Sequence, residues 1–307
     1  MKKIIVGTRG SQLAVTQTNW VIDRLKDQHP ELTFETKIIK TKGDIILDVA
    51  LDKIGDKGLF IKEIEQALID ETIDLAIHSM KDMPTDLDER FVIANPPKRE
   101  EAGDVLITRH DINSLSQLPK GAVIGTGSKR RRYQLKRIRE DVLAVDIRGN
   151  INTRIKKIFS ENLDGIILAH AGLKRINFSS DDVKVIPLDK REFLPAPAQG
   201  ILAIEVLKSR PEMLELVNSI SDEKAKLEMI AEREFLHHVE GGCHIPVGAF
   251  LELGQENSTF HYLFGDEEGN ALVASSVELN NSEIPRIGQK MAEKVSKEVK
   301  KCLEKSI

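Results

Sequence analysis

Five short segments of this sequence gather side chains able to bind anions, move protons or form a covalent bond. In Gly125-Thr126-Gly127-Ser128-Lys129-Arg130-Arg131-Arg132, small residues precede a run of cations. Small residues let backbone N–H groups approach an anion, and a helix N-terminus adds a favourable dipole. Arginines fork onto carboxylate or phosphate oxygens in pairs. The competing reading is a solvated basic helix. Cations at a helix N-terminus oppose its dipole, so such a cluster costs stability unless an anion offsets it. The spacing is not that of a P-loop. Arg148-Gly149-Asn150-Ile151-Asn152-Thr153-Arg154 places two more arginines around a strand-to-helix turn, and Gly7-Thr8-Arg9-Gly10-Ser11-Gln12 forms a similar small-residue turn with Arg9 and Ser11 as donors. An ordinary glycine turn explains the last segment equally well.

The other two segments carry reactive groups. His78-Ser79-Met80-Lys81-Asp82 sets an imidazole, a hydroxyl, an ammonium and a carboxylate side by side, a set suited to general acid–base work. A serine hydrolase would need an elbow motif that is absent, and a plain polar loop is the alternative. In Glu240-Gly241-Gly242-Cys243-His244-Ile245-Pro246 a cysteine stands in a flexible loop, with His244 able to assist thiolate formation. Zinc is the rival there, since His237 and His238 are near, but one cysteine at this spacing fits no common zinc pattern and no metal is expected. Cys302 lies in a lysine-rich helix and is read as inert.

Positioning these segments requires strands that end where they begin. Apolar runs at 3–7, 34–40 and 73–78 alternate with helical spacing at 12–26 and 58–70. After the breaker Asn95-Pro96-Pro97 the rhythm restarts, with strands at 105–108, 122–125, 142–147 and 166–169 and helices at 129–139 and 151–159. A second breaker, Leu194–Gly200, precedes a helix at 224–238, three strand-like runs (247–253, 259–264, 271–279) and a long charged helix. The fold class is therefore α/β: two α/β units with a cleft expected between them, plus a small α+β unit. No repeat of solenoid length is present.

The 307-residue chain is 40% hydrophobic and 31% charged, with net charge −4. It has no run long enough to span a bilayer and no signal-peptide pattern, so a cytoplasmic location and no membrane partner are expected. Two cysteines exclude a disulfide framework. The mild acidity argues against nucleic acid as partner, and aromatics total only 4% beside the one basic helix. The residues alone reach a cleft protein for a polyanionic ligand. A non-enzymatic ligand receptor of the same architecture stays open at this point.

Together, Gly7-Thr8-Arg9-Gly10-Ser11, Thr41-Lys42-Gly43-Asp44, Lys57-Gly58-Leu59-Phe60, Ala76–Asp82, Arg148-Gly149-Asn150, Ala171-Gly172-Leu173-Lys174-Arg175 and Glu240-Gly241-Gly242-Cys243 occur in the order found in one family and cover nearly the whole chain. The sequence resembles hydroxymethylbilane synthase, also called porphobilinogen deaminase. The resemblance implies a covalent dipyrromethane cofactor joined to Cys243 by a thioether, Asp82 as catalytic carboxylate, and porphobilinogen as the small-molecule substrate of a monomeric enzyme. It implies cofactor contacts at Ser79, Lys81, Asp82, Thr126, Ser128, Arg130, Arg131 and Gly172. Substrate contacts fall on Arg9, Ser11, Gln17, Lys53, Arg148, Arg154 and Arg175, with Asp44 close by. The implied fold has three domains. Two resemble type II periplasmic binding proteins (1–98 with 200–217, bearing a flap at 44–57, and 99–199). The third, 218–307, is a small α+β domain. The sequence departs from the family at Gly127, Arg132-Tyr133, His170, Ala198 and His244, and keeps every presumed catalytic group.

Overall fold

The structure is a computed structural model and describes residues 3–45, 61–239 and 245–304. In chain order, the first α/β segment comprises β1 (Lys3–Thr8), α1 (Gln12–Gln28), β2 (Thr33–Ile38), α2 (Lys42–Ile45), α3 (Lys62–Ile69), β3 (Leu75–Ser79) and β4 (Phe91–Ile93). The second comprises β5 (Asp104–Thr108), β6 (Val123–Gly125), α4 (Lys129–Ile138), β7 (Leu143–Val145), α5 (Ile151–Ser160), β8 (Gly165–Ala169), α6 (His170–Arg175) and β9 (Lys184–Pro187). Then come β10 (Leu202–Leu207), α7 (Pro211–Asn218), α8 (Glu223–His238), β11 (Val247–Glu252), β12 (Asn257–Gly265), β13 (Leu272–Asn280) and α9 (Ile284–Glu304). Two compact units result, Met1–Glu100 with Gly200–Lys226, and Glu101–Gln199 with Leu227–Ile307.

The first unit holds a sheet of order β2-β1-β3-β10-β4, and the second a sheet of order β7-β6-β8-β5-β9. β1 runs parallel to β2 and β3, as β6 does to β7 and β8. β10 is antiparallel to both its neighbours, and so is β5. The two sheets thus share one topology strand for strand, the type II binding-protein arrangement expected above. In each, the antiparallel strand is the first one after the chain crosses over. The outgoing and returning segments meet in a hydrogen bond from Glu100 N–H to Gly200 O (3.1 Å).

Burial explains why these runs become inner strands. β1, β3, β8 and β10 are apolar and buried along most of their length, as strands covered on both faces must be. Val21, Ile22 and Leu25 of α1 and Met213 and Val217 of α7 cover one face of the first sheet. Ile64 and Leu68 of α3 cover the other. In the C-terminal part, β11, β12 and β13 form an antiparallel meander. Its core includes Ile284, Ile287, Met291 and Val295, spaced three and four apart along α9. Ala102, Leu194, Phe250 and Leu263 form a further apolar cluster, which is why this meander shares a unit with the second α/β sheet. No helix among the described residues is long and apolar enough to cross a membrane.

Candidate active site

In the first unit the chemistry-bearing residues lie just past the C-terminal ends of β1 and β3. Ser11 is the N-cap of α1, its hydroxyl accepting from Ala14 N–H (3.2 Å), and Arg9 is half-buried in the turn before it. Gln17, one turn and a half further on, is buried, and its Nε2 donates to Ser79 Oγ (3.1 Å). Two residues implicated by the sequence are thereby brought together. After Ser79 the chain makes a short 3-10 turn, Met80–Asp82. Met80 is buried and its N–H donates to Ile201 O (3.0 Å). That plug leaves Lys81 half-buried and Asp82 exposed.

His78 is not part of this group. Successive strand residues point to opposite faces, and His78 Nε2 meets buried Glu205 Oε2 at 3.1 Å. Burial and the Glu205 carboxylate also push nearby Glu65 above the usual carboxylate range. Asp44 lies in α2, while Lys53, Lys57, Cys243 and His244 lie outside the described residues.

In the second unit Ser128 caps α4 by accepting from Arg131 N–H (3.4 Å), and buried Thr126 accepts from Ser128 N–H (3.3 Å). The cations of the first turn, disfavoured by the dipole, meet carboxylates of the protein itself. Lys129 pairs with Glu267 (3.1 Å) and Arg132 with Asp146 (2.5 Å). Arg130 and Arg131 share Asp104 (2.8 and 2.7 Å). Four cations therefore face three carboxylates, and the surplus sits in the buried trio. Burial alone would raise Asp104, but the two guanidiniums outweigh it and hold the carboxyl well below its ordinary range. Arg131 also donates from Nη1 to Ile167 O (3.1 Å), yet its Nε is buried and has no hydrogen-bond partner among the described residues.

Sequence reasoning missed Asp104, because nothing local marks an acid whose partners lie 26 and 27 residues away. It also missed Gln199. The Nε2 of that side chain donates to Asp104 (2.9 Å), Ala102 O (2.7 Å) and Gly103 O (3.1 Å). Its place in the Pro-rich breaker was the only available signal.

The next turn holds Arg148 and Arg154. Gly149 adopts φ +110°, a conformation that L side chains rarely reach. Asn150 caps α5 by accepting from Thr153 N–H (2.8 Å). Arg154 Nε folds back onto Gly149 O (2.7 Å). Arg148 is half-buried and has no hydrogen-bond or ion-pair partner among the described residues. Gly172 is buried in α6, and Arg175 ends that helix. No cluster of metal-ligating side chains occurs among the described residues.

A doubly crossed pair of α/β units, with arginine-rich turns in the second and an exposed carboxylate turn in the first, defines an anion-handling α/β protein. Residues 4–215 match the family described as porphobilinogen deaminase, dipyromethane cofactor binding domain, and residues 226–301 match porphobilinogen deaminase, C-terminal domain. The chain is 50% identical to the porphobilinogen deaminase of Clostridium novyi (97% of this chain, 99% of that one). It is 50% identical to that of Clostridioides difficile (96% and 97%) and 47% identical to one from Listeria monocytogenes (95% and 94%). Among solved structures it is similar to an arginine-specific periplasmic binding protein of Salmonella typhimurium, at 14% identity and a TM-score of 0.41, covering 73% of this chain and 94% of that one. The chain belongs to the porphobilinogen deaminase family, the transferases that act as hydroxymethylbilane synthases in tetrapyrrole biosynthesis.

Proposed function

We propose that this chain joins four porphobilinogen molecules head to tail, releases one ammonia for each, and frees the linear tetrapyrrole by hydrolysis, using the residues assigned below. The observation that carries the assignment is the uncompensated cation in the second unit. Arg130 and Arg131 share one carboxylate, and among the described residues Arg131 Nε is buried without a hydrogen-bond partner and Arg148 pairs with nothing. The half-buried Arg148 is open to a ligand's carboxylates, and the surplus charge of the Arg130–Arg131–Asp104 trio favours a ligand that carries several of them. These residues therefore fit a dipyrromethane bearing acetate and propionate groups.

When bound by a thioether to Cys243, that group supplies the pyrrole α-carbon to which substrate rings are added. Ser79, Lys81, Thr126, Ser128, Arg130, Arg131 and Gly172 hold it. Arg9, Ser11, Gln17, Lys53, Arg148, Arg154 and Arg175 hold substrate carboxylates. Asp82 gives a proton to the aminomethyl nitrogen, so that ammonia leaves as the carbon–nitrogen bond breaks. Its exposed position at the tip of the Met80–Asp82 turn suits contact with substrate. The reading includes a three-domain division (1–98 with 200–217, 99–199, 218–307) and a cytoplasmic monomer with neither nucleic acid nor membrane as partner.

Intact mass spectrometry of the purified protein and of Cys243→Ser tests this proposal. The expected result is an excess of two porphobilinogen units less two ammonias, lost in the variant. A protein that gains no pyrrole mass on adding porphobilinogen is a receptor and not this enzyme.

A further inference from the structure

The outer side of α4 is fastened by residues that the proposed chemistry does not use. Arg130, Arg131, Gln134 and Leu135 form the buried face of this helix. Lys129 and Tyr133, one turn apart, point the other way and reach the turn between β12 and β13. The Tyr133 hydroxyl donates to Glu267 O (3.0 Å), and Lys129 Nζ donates to Glu267 O (3.3 Å) and Oε1 (3.1 Å).

That turn is held by bonds of its own. The Asp266 carboxylate accepts from Ala271 N–H (2.6 Å) and Glu268 N–H (3.2 Å). Backbone bonds from Asp266 to Ala271 O (3.0 Å) and from Gly269 to Asp266 O (3.2 Å) close it. Gly269 has φ +77°, and a Cβ there would stand 2.5 Å from the Tyr133 ring. The ring therefore rests directly on glycine backbone, in a fit that a side chain at 269 would strain and displace.

We propose that Tyr133, assisted by Lys129, is a positioning residue for Arg130 and Arg131: it locks the roll of α4 against the β12–β13 turn. A ten-residue helix with four cations in its first turn has a reason to shift that most helices lack. A roll of about 20° would carry a group roughly 6 Å from the axis about 2 Å sideways. Displacements of that size separate productive from unproductive ligand geometry. The inference rests on the assignment of this arginine pair to ligand carboxylates.

The test uses the full-length holoenzyme and the variants Tyr133→Ala and Tyr133→Phe. It measures intact mass, thermal midpoint, and kcat and KM for porphobilinogen well below each midpoint. Tyr133→Ala is expected to keep the cofactor mass and lower kcat about tenfold, because the pair it positions holds the cofactor, while KM for porphobilinogen changes less than about threefold. Tyr133→Phe keeps the ring on Gly269 and is expected to recover most of that loss. A lowered midpoint with wild-type KM and kcat would make the contact a mere brace and overturn the proposal. Should Tyr133→Ala not fold, Tyr133→Leu combined with Lys129→Ala removes both the ring and the helix's bonds to Glu267 while keeping an apolar side chain at 133. A kcat lowered about fivefold then supports the proposal, and an unchanged kcat overturns it. Wild-type protein that neither carries pyrrole mass nor consumes porphobilinogen overturns the functional reading, and this inference with it.

Discussion

The turn after β3 and the turn after β8 hold the same place in their own sheets. Asp74 accepts from Ile5 N–H (2.7 Å) at the start of β3, and Asp164 accepts from Val123 N–H (2.7 Å) at the start of β8. Gly7 registers with Ala76, as Gly125 does with Ile166. Counting forward, Ser79-Met80-Lys81-Asp82 in one unit corresponds to Ala169-His170-Ala171-Gly172 in the other. The first strands match as well, since Gly7-Thr8-Arg9-Gly10-Ser11 and Gly125-Thr126-Gly127-Ser128 both end in the serine that caps the next helix. One frame is used twice. The first copy places a carboxylate where the second has a buried glycine, and the second concentrates cations where the first has few.

The crossover strands differ in the same sense. Each carries a fully buried carboxylate, Glu205 on β10 and Asp104 on β5. Glu205 meets one histidine, and its Oε1 has no hydrogen-bond partner among the described residues. Asp104 meets two permanently charged guanidiniums and the Gln199 amide. The frame tolerates a buried acid at this strand in both units. The second pairs its acid with guanidiniums, which stay charged throughout the physiological range.

The contrast can be tested directly. Asp82→Asn is expected to lower kcat by about 100-fold or more while fold and cofactor mass persist, whereas Gly172→Ala in the matching turn should cost far less. Near-normal turnover of Asp82→Asn in a steady-state assay would falsify the acid assignment. Asp104→Asn leaves two buried arginines facing no charge and is expected to destabilise by about 3–5 kcal/mol in denaturant unfolding. Glu205→Gln, whose partner is a single histidine, should cost clearly less. Because Asp104 is depressed in the folded state, its contribution is complete above about pH 4 and is lost as pH falls toward its folded value. Acid unfolding curves of Asp104→Asn should accordingly be flatter than wild type below about pH 4. Arg148→Ala is expected to raise KM about tenfold and to trap partly elongated enzyme, visible as altered pyrrole mass steps; an unchanged ladder of masses would remove Arg148 from the site. The smallest effect is expected at Ala198, which is buried at φ +59° with its N–H donated to Glu232 (2.6 Å). Relief of the left-handed strain in Ala198→Gly is largely offset by the entropy that glycine gains in the unfolded chain, so stability should rise by no more than about 1 kcal/mol.

Much of this was legible in the residues. The helix expected over 151–159 spans Ile151–Ser160, and the one expected over 129–139 spans Lys129–Ile138, because caps and apolar spacing mark their ends. β9 escaped notice because four residues ending in proline give no periodic signal. α6 is one and a half turns with a glycine inside it. Strand alternation removes His78 from the Ser79–Asp82 group, yet along the sequence it looks like a member. The duplicated frame was invisible as a repeat, since its two copies share only a few turn residues and the paired aspartates. The anion expected to offset the basic start of α4 turned out to be largely the protein's own, because Asp104, Asp146 and Glu267 are distant in sequence. The remaining surplus of one cation is what a ligand can use.

The place of β10 also sets a timetable for synthesis. It lies between β3 and β4 in the first sheet, but roughly 110 residues separate the end of β4 from its start. At about 5–20 residues per second, a ribosome takes roughly 5–20 s to make that stretch. During this interval β3 and β4 exist without the strand that joins them, while the strands of the second sheet are made one after another, the last of them ahead of β10. The unit encoded first is therefore the later of the two sheets to close, and the nascent chain carries an open apolar sheet edge until residue 207 has emerged.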